Sequence, residues 1–197
     1  MATLSVLKLS WAAGIGGLLG LALLSPGLIP SAQAEAVGPA PREWMGRQRT
    51  QKVRRLTDYL HQTYRIHPAK AHTYVQAAVH QGGRRKLAPE LILAVITTES
   101  SARERAVRRC GARGLMQVIP RQHGTKIRPI GGAQALFKPR QNIAVGTAIL
   151  AEQLQRHRGN LRQALLHYSG NRAKPHSRFP DKVLKEYRTL RKVARSG

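Results

Sequence analysis

The stretch Pro89-Glu90-Leu91-Ile92-Leu93-Ala94-Val95-Ile96-Thr97-Thr98-Glu99-Ser100-Ser101 decides what kind of fold this chain builds. Its six consecutive apolar residues, Leu91 to Ile96, fit either a buried strand or a helix that is apolar all round. Proline suits the first turn of a helix, and a carboxylate directly after it suits the positive end of the helix dipole. The whole segment, 12 to 13 residues, is also too long for an ordinary strand, so the spacing predicts a helix from Pro89 to about Ser101. On that helix Ile92, Val95, Ile96 and Glu99 share one stripe, which puts a carboxylate on the apolar face. Glu99 also lies near the C-terminus, where the dipole disfavours negative charge. Both effects raise the pKa of a carboxyl group, the condition for holding a proton at neutral pH. The alternative is a helix-end glutamate turned to solvent or paired with an arginine.

The same periodicity extends outward. Val53, Leu56, Tyr59, Leu60 and Tyr64 mark a helix, and Pro68 opens another that Gly82-Gly83 is expected to stop. Residues 102–141 are glycine-rich and predict short helices or turns. Asn142 is expected to cap a helix carrying Ile143, Ile149, Leu150 and Leu154, and Asn160 to cap one ending at Gly170. A final amphipathic helix carries Val183, Leu184, Tyr187, Leu190 and Val193. The fold class expected is mainly α.

The 197 residues include 34 Lys+Arg against 9 Asp+Glu, a formal net charge of +25. A hydrophobic content of 42% is enough for a core, and 5% aromatics argues against rows of stacked bases as the reason for the charge. Nucleic acid is therefore not the expected partner. The one cysteine, Cys110, excludes an internal disulfide and a four-cysteine zinc site; no other metal-ligand pattern is present, and neither metal nor cofactor is expected.

Lys8 is followed by an uncharged stretch up to Glu35, with an apolar centre from Trp11 to Leu24 and a small-x-small end at Ala32-Gln33-Ala34. This is the pattern of a secretory signal, with cleavage expected after Ala34. The mature chain would lose only Lys8 among its charges and keep +24. An uncleaved membrane anchor is the alternative, and the segment has no cysteine for a lipid. Either outcome places the domain in the periplasm or cell envelope.

Each acid can be weighed. Glu35 and Glu43 fall in a Pro/Gly-rich, then basic stretch that reads as a linker; Asp58, Glu152 and Glu186 fall on polar helix faces; Glu90 and Asp181 sit at helix starts. Glu104, between Arg103 and Arg105, reads as a solvated loop residue. Glu99 alone extends an apolar stripe.

Around it stand Glu99-Ser100, then Gly111-Ala112-Arg113-Gly114-Leu115-Met116-Gln117-Val118-Ile119-Pro120, then Asn142-Ile143-x-x-Gly146, then Ala164-Leu165-Leu166-His167-Tyr168-Ser169-Gly170. This ordered series resembles the soluble, goose-lysozyme-like (SLT) lytic transglycosylases over residues 86–172. The resemblance implies a lysozyme-like domain that cleaves the MurNAc–GlcNAc bond of peptidoglycan and leaves 1,6-anhydroMurNAc. It implies Glu99 as the single general acid/base, Ser100, Met116, Gln117 and Tyr168 along the substrate, and Gly114, Leu115, Asn142 and Ile143 as the supporting motif. A one-carboxylate mechanism suits this chain. Other glycosidases need a second carboxyl about 5–9.5 Å away, whereas attack by the substrate's own C6 hydroxyl does without it.

Three departures accompany the match. Ala102, Arg103 and Glu104 replace the family's usual Phe-Asn-Pro, Arg108 replaces a common serine, and Ser169 replaces the asparagine after the tyrosine. They keep two alternatives open: a non-catalytic cationic wall-binding protein on the same fold, and a lysozyme-type muramidase. The organisation expected is a signal segment 1–34, a linker 35–52, N-terminal helices 53–85, the lysozyme-like domain 86–172, and a C-terminal helix with basic tail 173–197. The partner expected is the peptidoglycan glycan strand, with envelope or secretion-system proteins as further candidates, and the chain is expected to act as a monomer.

Overall fold

A computed structural model describes residues 41–170 and 176–196. Among them the regular structure is helical, with α1 (Pro41–Tyr64), α2 (Pro68–Arg85), α3 (Pro89–Ser100), a single turn α4 (Gly124–Ile127), α5 (Pro139–Arg156), α6 (Leu161–Tyr168) and α7 (Phe179–Arg195). Short 3₁₀ turns fill the segment between α3 and α5, and isolated bridges join Val107 to Arg113 and Arg113 to Val118. The predicted signal segment lies outside the described residues. No described helix is long and apolar enough to cross a membrane.

α3 is the central element. Leu91 through Thr97 are all buried, because α7 and α2 both pack against it. A helix apolar on every side has to be enclosed, and this one is. Its flanks come from both ends of the chain: Val53, Leu56 and Leu60 of α1 share one core with Val183, Leu190 and Ala194 of α7. The helices expected to flank the domain are thus part of its core. Each fully buried leucine there contributes about 1.5–3 kcal/mol. A smaller cluster of Val118, Ile127, Leu136, Val145 and Ile149 closes the space between α5 and the 3₁₀ turns.

Three expectations are corrected. Residues 41–52, read as linker, form the first half of α1. After Pro41 the prolines end, and Arg, Gln and Lys are good helix formers even where they bury nothing. Lys52, inside the presumed linker, pins α1 to α3 through a 2.6 Å ion pair with buried Glu90. α2 also runs past Gly82-Gly83 to Arg85, with Lys86 in the left-handed conformation as its cap. Gly82 serves packing, since a β-carbon there would stand 2.5 Å from the Leu87 carbonyl oxygen. Finally, α5 starts at Pro139, which leaves Asn142 one turn inside the helix rather than at its cap. Proline's missing N–H and fixed φ make it the better helix start. Asn160 does cap α6, accepting from Gln163 N at 3.1 Å.

Candidate active site

α3 ends abruptly. Ser101 (φ 50°) and Ala102 (φ 58°) both adopt left-handed backbone, so the chain reverses directly after the turn that carries Glu99. Glu99 is half-buried, and burial pushes its carboxyl up to about 7. The Arg108 guanidinium pulls the other way, and among the described residues no second carboxylate bears on it. A proton on Glu99 at neutral pH therefore results from desolvation that exceeds a cation's pull.

The segment Gly114-Leu115-Met116-Gln117 is held by bonds to its backbone. Gly114 N donates to Ala106 O at 2.9 Å, and Gly114 O accepts from Gln117 Nε2 at 2.8 Å. Leu115 O accepts from the Ser100 hydroxyl at 2.8 Å, with Ile96 O 3.0 Å from the same oxygen. Met116 N donates to Asn142 Oδ1 at 2.7 Å, and Met116 O accepts from the Tyr168 hydroxyl at 2.8 Å. Side chains from α3, α5 and α6 thus converge on one loop, and its buried polar groups find partners without a sheet. Asn142 also donates to Arg113 O at 2.9 Å and Leu136 O at 2.7 Å, using both its oxygen and its amide protons. The Met116 side chain fills the groove over Gly146, where a β-carbon would stand 2.5 Å from its sulfur.

This geometry changes several expected roles. Ser100 and Met116 are fully buried, and their polar atoms are engaged within the protein, so both position the loop rather than face a sugar. Gln117 donates its amide to Ala106 O (3.1 Å) and Gly114 O and does not hold it out to a ligand, while its Oε1 is buried without a partner. Its φ of 50° closes the turn. Tyr168 does sit within the field of Glu99: burial first, and then that carboxylate, push its hydroxyl well above the usual phenol range. Ile143 is buried in the core beneath. His167, one residue before Tyr168, packs against His157 with ring centroids 4.1 Å apart and the rings tilted by 51°.

Glu104 is the residue sequence reasoning misjudged most. It accepts from the Tyr74 hydroxyl at 2.7 Å and pairs with Lys70 at 3.1 Å, anchoring the loop after α3 to α2. Its arginine neighbours suggested solvent, and nothing in the local pattern revealed a partner 30 residues upstream. The influence of Arg108 on Glu99 was equally invisible, since the guanidinium's charge bears on the carboxyl only because the loop folds back.

Comparison with known proteins shows the family. The family model for the Transglycosylase SLT domain matches residues 76–178, wider at both ends than the span of the motifs. The chain belongs to this family. It is similar to a transglycosylase of Enterobacteria phage PRD1, 38% identical over 53% of the chain and 39% of that protein. It is also similar to membrane-bound lytic murein transglycosylase C of Yersinia pestis and of Yersinia pseudotuberculosis, 34% identical over 48% of the chain and 28% of each relative. The matched part thus spans well under half the length of these relatives. α1 and α7 lie outside the matched region, yet they complete the core around α3, and Lys52 of α1 pairs with Glu90 inside it.

Proposed function

We propose that the protein is an exported lytic transglycosylase of peptidoglycan, with Glu99 as its single acid/base. The observation that carries this reading is a lone carboxyl, among the described residues, in the last turn of the central helix of a Transglycosylase SLT domain, raised to about 7 by burial. Protonated Glu99 gives its proton to the glycosidic oxygen between MurNAc and GlcNAc as that bond breaks. The carboxylate then takes the proton of the muramoyl C6 hydroxyl, whose oxygen closes on C1 to form the 1,6-anhydro ring. The nucleophile is part of the substrate, so positioning replaces activation of a water. Tyr168, with its hydroxyl tied to Met116 O beside Glu99, braces the loop and adds a buried dipole near the developing charge.

The secretory pattern of residues 1–34 and a relative named as a membrane-bound lytic murein transglycosylase support an envelope location. Mass spectrometry of sacculi incubated with residues 35–197 tests the activity. Anhydromuramoyl ends are expected; reducing ends would mean that water attacked and would favour a muramidase, and intact sacculi with bound protein would favour a non-catalytic wall binder. Sequencing the N-terminus of the exported protein tests cleavage after Ala34.

A further inference from the structure

The two terminal helices lie side by side and antiparallel. Arg55 of α1 donates to Ala194 O near the end of α7 at 3.2 Å. Further along α1, the hydroxyls of Tyr59 and Tyr64 donate to Glu186, earlier on α7, at 3.1 and 2.9 Å. The first half of α1 and the last half of α7 therefore meet at one end of the domain. Gly46 to Thr57 contains five cations, Tyr187 to Arg195 contains four, and neither stretch contains an acid. On α7 Arg188, Arg191, Lys192 and Arg195 are all exposed, and none of them is in an ion pair within 4.0 Å among the described residues. They stand three and four residues apart, where like charges oppose helix formation, so the stability of α7 does not explain them.

The start of α1 adds a second observation. Its first buried residue is Val53, and Met45 to Gln51 are all exposed, with Arg47 and Arg49 among them. Met45 is 57% exposed, one of two large apolar side chains so placed among the described residues. An apolar side chain next to arginines on an exposed stretch of helix suits the boundary between water and lipid.

We propose that the end of the domain formed by α1 and α7 is a docking face for an anionic phospholipid surface. The arginines and lysines meet the headgroup phosphates, and Met45 enters the interface. Val183, Leu190 and Ala194 are buried in the core, so α7 adsorbs through its charges and does not insert. A soluble acidic chain would use the same cations but has no use for Met45. Bases would want a row of open rings, whereas Tyr187 already has the Arg191 guanidinium 5.6 Å from its ring centre. Both helices lie outside residues 76–178, so the face belongs to this chain and not to the matched domain. The inference goes beyond the transglycosylase reading and shares with it only the envelope location. Adsorption of this kind keeps the domain at a membrane even after residues 1–34 are removed.

Cosedimentation of residues 35–197, which contain the compact unit 39–197, with phosphatidylglycerol vesicles and with phosphatidylcholine vesicles tests the proposal. The wild type is expected to bind the anionic vesicles alone and to be released at high salt. Arg188→Gln/Lys192→Gln/Arg195→Gln should weaken binding about a hundredfold, at about fivefold per cation. Arg121→Gln/Arg128→Gln/Arg140→Gln removes the same charge from exposed positions elsewhere and should weaken it about threefold at most. Thermal midpoints equal to that of the wild type check that both variants are folded. Equal losses for the two would mean that net charge alone binds, and would overturn the face. Met45→Gln is expected to weaken vesicle binding about threefold and to leave binding to soluble polyglutamate unchanged. Polyglutamate binding as tight as vesicle binding, with Met45→Gln without effect on either, would assign the face to an acidic macromolecule and overturn the lipid. Neither readout requires glycan cleavage, so failure here leaves the transglycosylase reading standing.

Discussion

The side-chain amide of Asn142 occupies the space that a β-carbon at Gly114 would need. Such a carbon would stand 2.3 Å from Asn142 Nδ2 and 2.2 Å from Leu136 O, at a residue whose φ is already +75°. The glycine and the asparagine are therefore one device: the glycine lets two elements approach, and the asparagine bonds to three backbone groups across the gap.

Gly114→Ala combines left-handed strain with a backbone clash, and together these are expected to cost about 2–4 kcal/mol. Chemical denaturation should show the loss as a lower midpoint with an unchanged slope. Gly111→Ala has no neighbour within 4 Å of the added carbon and should lose only the conformational part, about 1 kcal/mol. Equal losses for the two variants would refute the packing argument.

Glu99 links stability and activity to pH with a definite sign. Its folded pKa of about 7 exceeds the ordinary value of 4.5, so between these values the folded state holds the proton more tightly than the unfolded chain. The stability attached to that proton is complete below pH 4.5 and is lost as pH rises through about 7, amounting to about 3 kcal/mol at most. Glu99→Gln should flatten this part of the stability profile while lowering turnover by about 10²–10⁴-fold. A pH-stability curve identical to that of the wild type would show that Glu99 is not desolvated as described.

Arg108 lowers the pKa of Glu99 through its charge, so Arg108→Ser removes a stabiliser of the carboxylate. The alkaline limb of kcat/KM is expected to move to higher pH, with the Glu99 resonance in an NMR titration moving the same way. A shift to lower pH, or none, would mean that the guanidinium does not act on the acid.

Lys52→Met tests whether the first half of α1 belongs to the domain. Glu90 is buried and would lose its ion-pair partner, which costs about 1–3 kcal/mol given that the lysine itself is partly exposed. Lys52→Met/Glu90→Gln should recover much of that loss in thermal unfolding. An unaffected single variant would return residues 41–52 to the status of a tether.

The sequence by itself determined the helical class, because Leu91 to Ile96 behind Pro89-Glu90 have one economical reading and the other apolar positions recur at helical spacing. It also singled out Glu99, since periodicity places that carboxylate on an apolar stripe without reference to any other element. Helix ends were less legible. Asn142 and Gly82-Gly83 carry the local signals of a cap and a stop; the first lost to Pro139 three residues earlier, and the second to the close packing of Gly82 against Leu87 and Pro89. Only the tertiary structure decided what surrounds the acid. Glu104 meets Tyr74, Arg108 bears on Glu99, and Ser100, Asn142 and Tyr168 converge on Leu115 and Met116 across separations of 15 to 52 residues. Periodicity reports which face of one helix avoids water; it contains no information about which distant donor satisfies a given buried carbonyl, and that pairing shapes the site.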